Sequence, residues 1–175
     1  MIAAPPVQTL PARHERMADL DWFLGAWIVH SRTRDAEHPD TWHEETLYAE
    51  HTAELNGNLI WEHFFGPYQG QPYEAWSLRK YDASRDRWLQ KWADSAPGGM
   101  ILNWSGTWDA ASRTYTGYGE AHLNPDYTLK GDKGNREIFD NIRPDAFSWR
   151  LETTANGGKM WTVTWTLEYS RVDAR

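Results

Sequence analysis

Apolar and polar residues alternate with a period of two through most of this chain. That period belongs to β-strands, whose successive side chains face opposite ways. The clearest run is 159–170, where Trp161, Val163, Trp165, Leu167 and Tyr169 share one face and Thr162, Thr164, Thr166 and Glu168 the other. In 146–154, Phe147, Trp149 and Leu151 oppose Ser148, Arg150 and Glu152. The inner set in 87–95 is Trp88, Gln90, Trp92 and Asp94, and in 100–108 it is Leu102, Trp104, Gly106 and Trp108. Further strand-like runs cover 26–34, 41–52, 58–65, 73–81 and 114–123. A longer run, opened by Asn124-Pro125-Asp126 and interrupted by Gly131 and Gly134, ends near Ile142. Only Met17, Leu20, Phe23 and Leu24 recur at helical spacing, which predicts a short helix over 14–24.

Turn residues separate these runs. Asn56-Gly57 is a hairpin signal, and Asp82 to Asp86, Pro97-Gly98-Gly99, Asp109 to Arg113 and Asn156-Gly157-Gly158 mark further reversals. Ten strands joined this way, with no helices between them, predict an all-β fold: a single antiparallel meander. Such a sheet hides its edges by closing into a β-barrel. Residues 1–13, with Pro5, Pro6 and Pro11, are expected to form a flexible arm, and 14–175 the barrel domain.

Three runs leave their inner face open. In 73–81 we prefer Tyr73, Ala75, Ser77 and Arg79 over Glu74, Trp76, Leu78 and Lys80. The candidate inner sets of 41–52 and 114–123 are Trp42, Glu44, Thr46 and Tyr48, and Tyr118, Glu120 and His122. In 58–65, Leu59, Trp61, His63 and Phe65 are read as inner, although Ile60 and Phe64 flank Glu62 on the other side.

Composition sharpens the picture. Twelve of 175 residues are tryptophan, and rings projecting into a barrel suit a flat or hydrophobic small molecule. The formal charge of −7, with no Lys/Arg cluster, argues against nucleic acid and anionic membranes as partners. Cysteine is absent, which excludes disulfides, thiolate nucleophiles and Cys-based zinc sites. Neither a signal-like start nor a bilayer-length apolar run is present, so a soluble cytoplasmic protein is expected, with a homodimer left open.

This parity places His63, Gln90 and Asp94 among aromatic residues, joined by Arg79, Tyr48, Glu120 and His122 where the ambiguous strands allow. Burying such groups costs about 1–3 kcal/mol unless they are paired. They therefore form an internal network or face a ligand. The expected ligand-binding set is Tyr48, Trp61, Arg79, Gln90, Trp92, Trp104, Tyr118, Trp149 and Trp165. For acid–base chemistry, His63 or His122 as base beside Asp94 or Glu120 is the candidate. Metal is not expected: His43 and His51 lie about 26 Å apart along one strand, and no His-Glu-x-x-His motif occurs. Gly157-Gly158-Lys159-Met160 lacks the spacing of a phosphate loop, Tyr118-Gly119-Glu120 has no βαβ context, and no Gly-x-Ser-x-Gly elbow occurs.

Three stretches carry a resemblance. They are Leu20-Asp21-Trp22-Phe23-Leu24-Gly25-Ala26-Trp27; Tyr81-Asp82 with Trp88-Leu89-Gln90-Lys91-Trp92-Ala93-Asp94; and Phe147-Ser148-Trp149 with Asn156 to Trp161 and Tyr169-Ser170-Arg171. From Asp19 to Arg171 the chain resembles the bacterial family of unknown function labelled DUF1579, with a lipocalin-like (calycin) barrel. Leu24-Gly25-Ala26-Trp27 is also similar to the start of lipocalins and, more distantly, nitrobindins, where the Trp closes the barrel floor. Nitrobindin-like barrels bind haem through a histidine in their C-terminal part. No histidine follows His122 here, so no cofactor is expected. Some barrels of this type are cofactor-free pericyclases and isomerases. The resemblance thus implies the fold and leaves four functions to weigh. The first is binding of a small hydrophobic or aromatic molecule. The alternative is a cofactor-independent lyase, isomerase or cyclase in the same lumen. The others are a solidly packed partner-binding barrel and haem or nitric-oxide chemistry.

Overall fold

The computed structural model describes residues 10–96 and 102–172. Ten strands form a closed barrel: β1 (Gly25–Arg34), β2 (Trp42–Glu54), β3 (Leu59–Tyr68), β4 (Gln71–Asp82), β5 (Arg87–Asp94), β6 (Leu102–Asp109), β7 (Thr114–Gly119), β8 (Gly134–Asp140), β9 (Ala146–Thr154) and β10 (Thr162–Arg171). Each strand pairs antiparallel with its neighbour in sequence. The first and last strands close the ring, with Trp27 opposite Arg171 and Thr33 opposite Trp165. The meander expected from alternation is therefore the observed topology.

Two expected strands are shorter than their sequence runs. The run 114–123 stops at Gly119, and Glu120–His122 form a short 3-10 helix. The run through Ile142 yields strand only over Gly134–Asp140. Of the run 100–108, residues 100 and 101 lie outside the described residues.

The expected helix is a 3-10 helix over Glu15–Phe23, with Leu20 off helical dihedrals. Met17, Leu20 and Phe23 are buried, and each large apolar side chain so buried stabilises by about 1.5–3 kcal/mol relative to exposure. The segment before it is tied to the β2–β3 turn. Pro11 O accepts from Asn56 Nδ2 at 2.9 Å, Ala12 O accepts from Asn58 Nδ2 at 3.1 Å, and His14 N donates to Asn58 Oδ1 at 2.8 Å. Asn56 and Gly57 both have positive φ, as a tight hairpin of this sequence requires. The helix thereby plugs one end of the barrel, and Phe23 stacks on His51 at 3.7 Å between centroids.

Most inner faces follow the alternation. Phe147 is buried, Trp149 and Leu151 line the lumen, and so do Gln90, Trp92, Asp94, Leu102 and Trp104. The preferred face of β4 is also the inner one: Tyr73, Ala75, Ser77 and Arg79 are all buried. At β6, Gly106 faces inward where a Cβ would collide with the Tyr115 hydroxyl, so that ring needs the missing side chain.

Four expectations are corrected. In β3 the buried residues are Ile60, Glu62 and Phe64, so Leu59, Trp61, His63 and Phe65 make up the outer face. The carboxylate of Glu62 is compensated inside by Arg79 of β4, a non-local partner. In β2 the buried set is Leu47, Ala49 and His51, which turns Trp42, Glu44, Thr46 and Tyr48 outward. In β7 the inner residues are Tyr115, Gly117 and Gly119, so Tyr118 points out. In β10 the register shifts between Val163 and Trp165. That bulge detaches Trp161 from the inner row of Trp165, Leu167 and Tyr169. Trp161 instead lies against Tyr118, with the Arg136 guanidinium 4.2 Å from its ring centre.

Candidate functional site

Between the helical plug and the opposite end of the barrel, the described residues enclose a cavity of about 190 Å³. Aromatic rings make its walls. Trp149 and Trp165 meet edge to face at 5.3 Å, Tyr68 lies 5.2 Å from Trp165, and Tyr68 and Tyr73 are 5.0 Å apart. Trp92 and Trp104 add further wall from β5 and β6, with Leu102, Leu151 and Leu167 between the rings. Each ring comes from the inward parity of its strand, so the ladder register alone brings them together.

The floor is polar and buried. Arg79, 3% exposed, donates from Nη1 to Glu62 Oε2 at 2.7 Å and to Ser77 Oγ at 3.2 Å. Its Nη2 lies 3.7 Å from Glu137 Oε2, and its guanidinium sits 4.6 Å from the Phe23 ring and 5.2 Å from that of Phe139. Trp149 Nε1 donates to Glu137 Oε2 at 3.0 Å. The Gln90 amide satisfies both neighbours when its oxygen accepts from Arg79 Nη2 at 2.9 Å and its nitrogen donates to Glu137 Oε1 at 2.5 Å. Below this layer His51 Nδ1 donates to Phe23 O at 2.7 Å, which leaves Nε2 facing Glu62 Oε1 at 3.3 Å.

The two floor carboxylates are driven apart. Burial works to raise Glu62, but Arg79, His51 and the Ser77 hydroxyl outweigh it and hold its carboxyl well below the usual range. Burial dominates at Glu137 and raises it above its ordinary value, against the pull of Arg79 and the Trp149 N–H. Burial also opposes the Arg79 charge, yet Glu62 and Glu137 outweigh it and raise that group. Such a divided pair is the arrangement in which one carboxyl can carry a proton while the other stays ionised.

At the rim, half-buried Asp94 accepts from Trp92 Nε1 at 3.1 Å and from Ala96 N at 3.0 Å. Burial, then the Asp94 charge, pushes the hydroxyls of Tyr68 and Tyr73 upward.

Of the residues expected from sequence, Arg79, Gln90, Trp92, Asp94, Trp104, Trp149 and Trp165 line this cavity together. The others lie outside it. Tyr48 and Trp61 are exposed on the outer wall, and Tyr118 projects outward from β7. Glu120 and His122 sit in the short 3-10 helix after β7, and neither is buried. His63 is turned out by its neighbour Glu62; its ring stacks on Trp76 at 3.9 Å and Nε2 donates to Glu74 Oε1 at 2.8 Å. No expected acid–base histidine therefore reaches the lumen. Among the residues that sequence reasoning missed are the floor carboxylates Glu62 and Glu137. Their only signal was period two: Glu137 alternates with Phe139, and Glu62 with Ile60 and Phe64. Among the described residues no group of three or more His, Asp or Glu side chains is arranged to hold a metal ion. No described helix is long and apolar enough to cross a membrane.

Comparison with known proteins speaks to the fold. No curated protein matches the chain. Among solved structures, Rv2717c from M. tuberculosis is similar over 92% of this chain and 99% of its own, with a TM-score of 0.62 at 13% identity. The S-type phycobiliprotein lyase CPES from Guillardia theta is similar over 93% of this chain and 96% of its own, with a TM-score of 0.61 at 10% identity. Both likenesses are of the barrel. Residues 11–171 match the model of the family described as protein of unknown function DUF1579, and the chain belongs to that family.

Proposed function

We propose that the barrel binds a small hydrophobic or aromatic molecule in its lumen. Trp92, Trp104, Trp149 and Trp165 would supply the walls, and Arg79, Gln90 and Asp94 would orient the ligand's polar atoms. One observation carries this reading: a cavity of about 190 Å³ is left between aromatic walls and a buried polar floor. A cavity of roughly 150 Å³ is enough to bind benzene, so one or two fused rings match this volume. Titration with one- and two-ring aromatics should quench or shift tryptophan fluorescence saturably. Leu167→Trp, which fills the cavity from β10, should abolish that response while the circular dichroism of the barrel persists. No response from the folded wild type across such a set would refute the proposal.

A second reading has its own support. Glu62 and Glu137 flank one arginine and are shifted in opposite directions, which suits proton transfer in a cofactor-independent lyase, isomerase or cyclase. The name of the phycobiliprotein lyase, a barrel of the same architecture, agrees with keeping a lyase beside passive binding. In this reading Glu137, at the cavity wall, replaces His63 as the proton-transfer group. Glu137→Gln should then remove turnover of a bound substrate while its affinity changes little. Turnover that survives the substitution would exclude Glu137.

A further inference from the structure

We infer that the lumen selects a protonated aromatic amine over its neutral and acidic analogues, with the rings between Trp92, Trp149 and Trp165 and the ammonium on Asp94. This rests on the proposed lumen binding and names the ligand class for it.

Three carboxylates line the cavity, those of Glu62, Asp94 and Glu137, against the single cation Arg79. No lysine or histidine is among the described lining residues, and residues 97–101, next to the rim in sequence, carry no charge. The arginine is already committed: Nη1 serves Glu62 and Ser77, and Nη2 serves Gln90 beside Glu137. Its Nε exposes no surface to the cavity. An acidic ligand would therefore meet negative charge without a free cation.

Three indole N–H donors of the walls are spent in the same way. The indole N–H of Trp92 goes to Asp94, that of Trp149 to Glu137, and that of Trp165 to Ser31 Oγ at 2.8 Å. At Asp94 each carboxylate oxygen accepts one hydrogen bond and keeps a second lone pair. The site thus presents carboxylate acceptors and π faces, both of which favour a cation, beside the Tyr68 and Tyr73 hydroxyls, which can donate or accept. Asp94 is the better seat for the ammonium because it is half-buried whereas Glu137 is 2% exposed, so a cation there keeps part of its hydration. The net charge of −7 adds long-range attraction of the same sign.

Isothermal calorimetry on the whole protein with 2-naphthylmethylamine, 2-naphthylmethanol and 2-naphthoate tests this. The amine should bind roughly tenfold more tightly than the alcohol, as one charge-assisted hydrogen bond implies, and the acid most weakly. Asp94→Asn, a near-isosteric change at the rim, should erase the amine's advantage over the alcohol. Equal binding of amine and alcohol, tightest binding of the acid, or an advantage that survives Asp94→Asn each overturns the selectivity alone. Binding by none of the three overturns the lumen reading and the inference with it.

Discussion

Arg79 is the side chain on which the interior depends. It stands between two buried carboxylates, each 2% exposed, and removing it strands both. Arg79→Met should cost about 3–5 kcal/mol, the usual penalty for leaving a buried charge without its partner, measured by urea denaturation. A loss below about 1 kcal/mol would mean that the carboxylates are neutral without it. Glu137 makes a separate prediction in pH. Its carboxyl is raised in the folded state, so its contribution to stability is full below the ordinary value of 4.5 and is lost as pH rises through the raised one. Glu62, held low, does the reverse: its contribution is present above 4.5 and fails only as pH falls toward its depressed value. The melting temperature of Glu137→Gln relative to wild type should therefore increase as pH rises above the ordinary value of 4.5. A difference that does not vary with pH would contradict the raised carboxyl.

At the scale of the strand, parity decides which residues matter, and β3 is the instructive case. Phe64 is fully buried and Phe65 is exposed, although they are adjacent and chemically identical. Phe64→Ala should cost about 3–5 kcal/mol, whereas Phe65→Ala should stay within about 1 kcal/mol, by thermal or chemical denaturation. The reverse order would restore the parity expected from sequence. Strands β5, β6 and β9 were legible because one face is aromatic and the other polar. Strand β3 was not, since both faces are apolar and the deciding residue is a glutamate whose counter-charge sits on β4. The same holds for β2, where Tyr48 stacks on Phe65 outside, at 5.8 Å, while Leu47 and His51 turn in. The bulge in β10 reverses parity through a backbone irregularity that no side-chain pattern records. The site was accordingly half readable: its tryptophans and Arg79 followed from alternation, and its carboxylate pair did not.

For the molecule as a whole, ring closure is the feature with the widest reach. The ladder between β1 and β10 joins Trp27 to Arg171, so nearly the full chain separates the two strands that complete the barrel. A nascent polypeptide on the ribosome therefore holds β1 as an unprotected edge until the last strand emerges. Pairing over such separations is slow, on the millisecond-to-second scale, and an exposed edge in that interval invites association with other chains. Synthesis halted after Gly158, before β10, should yield an aggregating product, visible as light scattering against the intact protein refolded in parallel. A soluble, monomeric product would show that nine strands protect their own edges.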